Sequence, residues 1–273
     1  MLKGILSSVI QFQYDLGFGQ FSPLLKGNAP LENTAKESRR CFILATGPSI
    51  KSMDLSGLEN EFCISVSNFF VHPLFNKIRP SYHIFAGIHP PITNMQVGNW
   101  WEDAANAMEG NARTKVFINA RDKKIQDEFS AFRNRPVHYY LEGGRYPVNF
   151  TKQLPEIQTV VHIAIYLATY LGIKEIYLLG CDHSWILHFG KSSHFYHESQ
   201  HALTRNNYSE WSEIKDIGEE FRSYAVLWDI YRQIRTQALN KGVKIFNATP
   251  SSLLDIFPRR DLNEILNPVS IND

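Results

Sequence analysis

Histidines crowd one stretch of this 273-residue chain, which carries ten of them in all. An imidazole titrates near neutral pH, so one placed against a sugar hydroxyl can remove its proton as a general base. In the densest group, Ser193-His-Phe-Tyr-His197, the hydroxyl of Tyr196 can also hydrogen-bond a leaving phosphate. Each histidine of this stretch is therefore a candidate catalytic base, and solvated loop histidines are the simpler alternative. The histidines of the stretch are His183, His188, His194, His197 and His201.

A metal site is the alternative interpretation of this cluster. Imidazole and carboxylate groups are common ligands of zinc and related metals. The spacing, however, matches neither H-E-x-x-H nor a zinc finger, and the chain has no Asp-x-Asp, the usual carboxylate holder of a metal beside a nucleotide-sugar. We expect no metal cofactor, with Mg²⁺ as the alternative. The conceivable ligands are Asp182, His183, His194 and His197.

A turn that contains glycine follows the first predicted strand, in Ala45-Thr-Gly-Pro-Ser49. Gly47 lets the chain approach a ligand closely, Pro48 suits a first helical turn, and Ser49 can cap the helix or donate to a phosphate oxygen. Ligands of open parallel sheets bind at the carboxyl ends of strands, where the next helix offers N–H groups. We predict a cradle of main-chain amides at 47–49 for an anionic group, with an ordinary strand–helix turn as the alternative.

Polar residues also follow two other predicted strands. Asn68 offers both a donor and acceptors, which suits the recognition of a base or a sugar. Asp182 ends a predicted strand, a frequent position of site residues in this architecture. His183 and Ser184 come next, and Arg205 can meet an anionic substrate. The simpler alternatives for Asn68 and Asp182 are a turn residue and a helix cap.

Short apolar runs alternate with helical stretches from residue 41 onward. This pattern predicts an α/β, Rossmann-like fold: a mostly parallel sheet with helices on both faces. One helix is predicted at 159–171, apolar nearly all round and followed by Gly172. The polar, aperiodic segment 183–216 predicts a His-rich lid. The predicted strands are 41–45, 62–66, 82–85, 115–118, 137–140, 173–179 and 243–246.

A second helix is predicted at 219–241, with Gly242 after it. Its apolar residues recur at helical spacing. They are Phe221, Tyr224, Ala225, Trp228, Tyr231 and Ile234.

The first 40 residues are predicted to lie outside the main domain, which spans 41–273. Residues 22–40 are polar and contain turn-forming residues, which predicts a linker. The segment before them predicts a short amphipathic helix that either packs on the body or rests on a membrane surface. Its apolar residues are Leu2, Ile5, Leu6, Ile10 and Phe12.

Composition excludes several classes of protein. The 28 Lys and Arg residues against 27 Asp and Glu residues give a formal charge of +1, so no strong basic field supports nucleic-acid binding. The three cysteines lie far apart without a C-x-x-C pair, which excludes a disulfide framework. No run reaches the roughly 18 apolar residues of a membrane-spanning helix. We expect a cytoplasmic protein, and peripheral association with the inner membrane and formation of a homo-oligomer stay open.

Three blocks of the sequence together resemble known proteins. They are Cys41-Phe-Ile-Leu-Ala-Thr-Gly-Pro-Ser-Ile50, Val66-Ser-Asn68 and Leu171-Gly-Ile-Lys-Glu-Ile-Tyr-Leu-Leu-Gly-Cys-Asp182. These blocks resemble the sialyltransferases of Campylobacter-type lipooligosaccharide synthesis. They equally resemble a group described as hydroxymethylpterin diphosphokinase-like or motility accessory factors. The segments 193–197 and 249–254 are also similar to family segments, so the resemblance spans roughly 41–256 in scattered blocks.

The resemblance implies a metal-independent glycosyltransferase of surface polysaccharide or lipopolysaccharide synthesis. Such an enzyme transfers a sugar from a CMP-sugar donor to a saccharide hydroxyl. It implies a loop histidine as base, either His194 or His197, and places Tyr196 on the phosphate of the donor. Asp182 is a third catalytic candidate. The residues that the resemblance assigns to the donor are Gly47, Pro48, Ser49, Asn68 and Thr159.

Two other functions stay open. A Mg²⁺-dependent diphosphotransferase acting on a pterin-like alcohol needs carboxylates for the metal, and Asp182 is the best candidate. A non-catalytic sugar-nucleotide-binding or assembly partner would tolerate substitution of the histidine cluster.

Overall fold

The computed structural model describes residues 19–88, 92–188, 194–196 and 216–267. These residues form one seven-stranded sheet in which every pair of neighbouring strands is parallel. All seven predicted strands are confirmed, and their order in the sheet is β5-β4-β3-β2-β1-β6-β7. The strands are β1 (Cys41–Leu44), β2 (Phe62–Val66), β3 (Tyr82–Ile84), β4 (Lys115–Asn119), β5 (Val137–Tyr140), β6 (Glu175–Leu179) and β7 (Lys244–Asn247).

Helices cover both faces of this sheet, as the Rossmann-like prediction requires. Side chains of β1 alternate, so that Cys41 and Ile43 join the core on one face while Phe42 and Leu44 join the core on the other. The helices are α1 (19–26), α2 (Phe75–Ile78), α3 (Asn94–Ala107), α4 (Lys123–Phe129), α5 (Val160–Tyr170), α6 (Ile217–Asn240) and α7 (Leu262–Leu266). The first core includes residues of α5 and α6, and the second includes residues of α2, α3 and α7.

The two long predicted helices are α5 and α6. Thr159 caps the N-terminus of α5, and Gly172 follows its C-terminus with a φ of +91°, a conformation that glycine adopts without strain. In α6 the helix is confirmed, but Phe221 is 59% exposed. The apolar residues that α6 buries are Leu227, Ile230, Tyr231, Ile234 and Ala238.

The segment before β1 packs on the sheet, so the prediction of a linker at 22–40 is wrong. Asn28 is fully buried, and its Nδ2 donates to the carbonyl oxygens of Tyr139 at 2.7 Å and Phe150 at 2.9 Å. Leu25 and Leu31 are buried as well. The side-chain amide of Asn28 therefore joins this segment to the end strand β5.

Two sequence predictions fall largely outside the described residues. The amphipathic helix predicted from Leu2 to Phe12 lies entirely outside the described residues. Of the predicted lid at 183–216, the structure describes 183–188, 194–196 and 216. None of the helices in the described ranges combines the length and apolar character needed to cross a membrane.

Candidate functional site

The strand order reverses between β1 and β6, and in open α/β sheets such a reversal leaves a crevice at the carboxyl ends of the two strands. From β1 the chain adds β2 to β5 on one side, and α5 then carries it back to β6 on the other side. Leu44 of β1 is level with Ser65 of β2 and with Leu179 of β6, so these strands finish at the same edge. In open α/β sheets, ligands bind at such a reversal of strand order.

The two segments that leave β1 and β6 are held together at this crevice. The N–H of Gly47 donates to the carbonyl oxygen of Gly180 at 2.9 Å. The carboxylate of Asp182 accepts from the N–H of Ser49 at 3.1 Å and from its Oγ at 2.8 Å. We call these four residues, Gly47, Ser49, Gly180 and Asp182, the crevice clamp.

The clamp changes the interpretation of the 47–49 turn. Gly47 and Ser49 donate their N–H groups to protein acceptors, and Pro48 has none to offer. The following helix is only a five-residue 3₁₀ helix, Pro48–Ser52. The prediction of amides at 47–49 that are open to an anion is therefore wrong in this structure, because Asp182 takes the place of the anion. A contact between the donor and Gly47, Pro48 or Ser49 through other atoms stays a prediction.

Asp182 itself is buried, with 9% of its surface exposed. Burial raises the pKa of this carboxyl group, and the two donors of Ser49 act in the opposite direction. The contacts described for its carboxylate are those to Ser49. Its geometry fits a residue that positions the turn, and its predicted catalytic role stays a prediction.

A short piece of the histidine-rich stretch lies directly beside this turn. The N–H of Phe195 donates to the carbonyl oxygen of Thr46 at 3.0 Å. The ring of Phe195 lies 6.0 Å from that of Phe69 and 5.5 Å from that of His72, measured between ring centres. His194 and Tyr196 flank Phe195, and their rings stack at 4.9 Å. The structure thus places two predicted site residues at the carboxyl ends of β1 and β2.

Asn68 lies at the same edge, just after β2, and is 4% exposed. Its Oδ1 accepts from the indole Nε1 of Trp100 at 2.5 Å. Trp100 belongs to α3, and its ring meets the ring of Phe85 edge-on at 4.9 Å. No sequence pattern predicts this pairing, because Trp100 lies 32 residues further along the chain.

Thr159 is placed at this edge by the direction of α5. A helix that connects two parallel strands runs against them, so its N-terminus lies at their carboxyl ends. The Oγ of Thr159 accepts from the N–H of Val161 at 3.5 Å. Next to it, the Nε2 of Gln158 donates to the carbonyl oxygen of Ser223 in α6 at 3.1 Å.

His183 is buried among aromatic side chains. Its Nε2 lies 2.8 Å from the hydroxyl of Tyr231, and its ring is 5.1 Å from that of Trp185. Burial lowers its pKa to about 3, so it is neutral at physiological pH. The prediction that His183 belongs to the site is therefore wrong. Ser184 is partly buried beside it, and its carbonyl oxygen accepts from the N–H of Leu187.

The remaining predicted site residues, His197 and Arg205, lie outside the described residues. This also bears on the metal interpretation, which used His197 as one of four ligands. Among the residues that the structure does describe, no three His, Cys, Asp or Glu side chains are grouped so that they could hold a metal ion.

A polar cluster that the sequence analysis missed follows β4 and β5. The Nδ2 of Asn119 donates to Glu142 at 2.8 Å, and Arg121 pairs with the same carboxylate. Asp122 is 6% exposed and accepts from the N–H of Ile88 at 3.2 Å. Burial raises the pKa of Asp122 to about 6. The available signal was position, because Asn119 ends β4 and the other three residues of the cluster come shortly after the end of a strand.

Three solved sialyltransferase structures are similar to this chain. A complex of CstII from Campylobacter jejuni with a substrate analogue, cytidine-5'-monophosphate, is 16% identical with a TM-score of 0.43, over 85% of this chain and 88% of that chain. The complex of the same enzyme with CMP-3FNeuAc is 16% identical with a TM-score of 0.45, over 81% and 85%. A complex of CST-II with a trisaccharide acceptor and CMP is 13% identical with a TM-score of 0.44, again over 81% and 85%. No family model and no curated protein matches the sequence.

Proposed function

We propose that this protein is a glycosyltransferase that moves a sugar from a nucleotide-sugar donor, of the CMP-sugar kind, to the hydroxyl of a saccharide acceptor. The observation that carries the proposal is the hydrogen bond from the N–H of Phe195 to Thr46. This bond seats an imidazole and a phenol beside the crevice of an open α/β sheet. A base and a hydrogen-bond donor next to a nucleotide crevice are the groups that sugar transfer requires.

The donor is proposed to lie at the carboxyl ends of β1 and β2. We propose that Asn68 and the hydroxyl of Tyr196 contact its phosphate there. The N-terminus of α5, capped by Thr159, adds the positive end of an 11-residue helix at the same edge. The crevice clamp joins the two segments that follow β1 and β6 at this edge. The choice of CMP rests on the sequence resemblance, since the contacts of the described residues do not identify the nucleobase of the donor.

The proposed chemical step is a single displacement at the anomeric carbon. His194 or His197 takes the proton of the acceptor hydroxyl as its oxygen forms the new bond to the anomeric carbon. The bond from that carbon to the phosphate oxygen breaks, and the nucleotide monophosphate leaves with the electron pair. Attack from the opposite side inverts the anomeric configuration. The proposed acceptor is a saccharide of a surface polysaccharide or lipopolysaccharide.

We propose that the step needs no metal. The diphosphotransferase alternative uses Asp182 to hold Mg²⁺, yet both oxygens of that carboxylate already accept hydrogen bonds from Ser49. A transfer assay in EDTA separates the two. Full activity in EDTA supports the proposal, whereas activity that returns only with Mg²⁺ supports the alternative.

The direct test has two parts. Calorimetric titration with CMP, UMP and GMP identifies the nucleotide, and the absence of binding by all three would contradict the proposal. Turnover with the corresponding sugar nucleotide is then measured for His194→Ala and His197→Ala. Loss of a general base lowers the rate by about 10²–10⁴. The variant that lacks the base should keep its nucleotide affinity, and unchanged turnover in both variants would rule out the mechanism.

A further inference from the structure

The side-chain amide of Asn68 is held in one orientation. An indole Nε1 is a donor only, so the atom 2.5 Å from Nε1 of Trp100 must be the acceptor oxygen of the amide. Rotation of the amide by 180° would bring its NH₂ group against the indole N–H. Trp100 therefore uses the oxygen of Asn68 and turns the NH₂ group the other way.

Trp100 is placed by its helix and by a ring contact. It lies in α3, which begins with a capping box in which Thr93 and Gln96 bond to each other's backbone. Its ring also packs edge-on against Phe85. A residue of the protein's own helix therefore orients the amide of Asn68.

The NH₂ group that remains is a donor without an assigned acceptor. Asn68 is 4% exposed, and no hydrogen bond within the described part of the chain uses its Nδ2. A nearly buried NH₂ group is stabilised by an acceptor and is penalised by another donor. At this edge of the sheet the acceptor can come from a bound ligand.

We infer that Trp100 is a positioning residue that makes Asn68 a donor only, directed at a phosphate oxygen of the bound nucleotide. The inference rests on the proposed function and narrows it. From the sequence alone, Asn68 could pair with either a donor or an acceptor of the ligand. The indole occupies its oxygen, so only an acceptor of the ligand can pair with it. An amino group of a base cannot be the partner of Asn68, because two donors would then face each other.

The test compares Trp100→Phe, Asn68→Ala, Asn68→Asp and the double variant Trp100→Phe/Asn68→Ala by calorimetry with CMP. Loss of a hydrogen bond to a charged group weakens binding by about 10–100-fold, which is expected for Asn68→Ala. Trp100→Phe keeps the ring but lets the amide rotate, so about 5–10-fold weaker binding is expected. Asn68→Asp, which removes the donor and adds a negative charge, should bind CMP more weakly than Asn68→Ala.

Two features separate positioning from a merely structural role. In the Asn68→Ala background, Trp100→Phe should have no further effect on CMP affinity. Cytidine, which lacks the phosphate, should bind the wild type, Trp100→Phe and Asn68→Ala equally. An equal loss in both backgrounds, an equal loss for cytidine, or unchanged CMP binding by Asn68→Ala would overturn the inference.

The orientation can also be measured without any ligand, so that its failure is distinguishable from failure of the proposed function. In ¹⁵N–¹H spectra of the full chain, the indole N–H signal of Trp100 should move upfield in Asn68→Ala. Trp101 is the control, because its Nε1 is buried with no partner among the described residues and its signal should not move. If no nucleotide binds the wild type, the proposed function fails and the inferred phosphate contact fails with it. If the indole N–H signal of Trp100 does not move in Asn68→Ala, the inferred orientation of the Asn68 amide is wrong.

Discussion

Gly47 and Gly180 bring the ends of β1 and β6 closer together than larger residues would permit. A Cβ at Gly47 would clash with the carboxylate of Asp182 and lie 2.5 Å from the carbonyl oxygen of Gly180. Gly180 has a φ of +72°, and a Cβ there would lie 2.6 Å from Ile50. Neither atom has room, so the crevice clamp depends on both glycines.

Gly47→Ala is therefore expected to push Asp182 away from Ser49 and to open the clamp. We predict at least about 10-fold weaker nucleotide binding, together with a loss of about 1–3 kcal/mol of unfolding free energy as Ser49 loses its acceptor. Calorimetry and urea unfolding measure the two effects. Gly19→Ala is the matched control, since a Cβ at Gly19 meets nothing within 4 Å. Wild-type binding by Gly47→Ala would contradict the structural importance of the clamp.

Asp122 predicts an unusual dependence of stability on pH. Its folded-state pKa of about 6 lies above the ordinary value of 3.8 for an aspartate, so the native state holds the proton more tightly and stability falls as pH rises between these values. Relative to Asp122→Asn, the wild type should lose about 1.4 kcal/mol between pH 5.0 and 7.5. Urea unfolding of both proteins at the two pH values measures this. A difference between them that stays constant with pH would show that the carboxyl group is not perturbed.

Residue types were more predictable than their partners. The positions after β1, β2 and β6 identified Ser49, Asn68 and Asp182, because strand ends meet at one edge whatever the details of the fold. The sequence could not show that Asp182 would take both donors of Ser49, or that Trp100 would take the oxygen of Asn68. Such pairings depend on the approach of distant segments to within a few ångströms.

At the scale of elements, periodicity predicted α6 but not the face that it buries. The apolar residues of its first turns, including Phe221, continue the helical spacing, yet the first apolar residue that the helix buries is Leu227. Spacing specifies a helix, whereas the neighbouring elements decide which side of it is covered. The segment before β1 shows the same limit, since polar and turn-forming residues predicted a linker where the chain packs on β5.

Asn28 provides the test of that packing. Its Nδ2 donates to backbone carbonyl oxygens of both β5 and the loop at Phe150, and its Oδ1 lies 3.2 Å from Nδ1 of His138. Asn28→Ala leaves buried carbonyl groups without their donor, so we expect a loss of about 2–4 kcal/mol. Chemical denaturation measures it. Asn106→Ala, at an exposed position of α3, is the control and should change stability by no more than about 0.5 kcal/mol. A small effect of Asn28→Ala would mean that the segment is a linker after all.

The whole sheet was more predictable than any of its parts. Short apolar strands separated by helical stretches predicted a mostly parallel sheet, and the described strands form no antiparallel pair. The strand order was not predictable in the same way, because it depends on the side of the sheet to which α5 returns the chain. That order is what creates the crevice between β1 and β6.

Buried neutral histidines give the molecule as a whole a sensitivity to acid. His83 and His183 are nearly inaccessible, and burial lowers the pKa of each to about 3. The unfolded chain takes up a proton on each below about pH 6.5, whereas the folded protein does not, so stability is complete above that pH and is lost as pH falls. Each histidine removes about 2 kcal/mol between pH 7 and pH 5, a large part of the roughly 5–15 kcal/mol of a typical domain.

We therefore predict that acid narrows the stability difference between the wild type and His183→Asn. Asparagine tolerates the positive φ of +48° at this position but does not titrate. His183→Asn should be less stable than the wild type at pH 7, since it loses the aromatic contacts with Trp185 and Tyr231. By pH 5 that difference should shrink by about 2 kcal/mol, because only the wild type has an imidazole at position 183 that stays neutral in the folded state. Urea unfolding at pH 7, 6 and 5 measures the trend, and parallel curves for the two proteins would show that His183 is protonated as readily in the folded state as in the unfolded one.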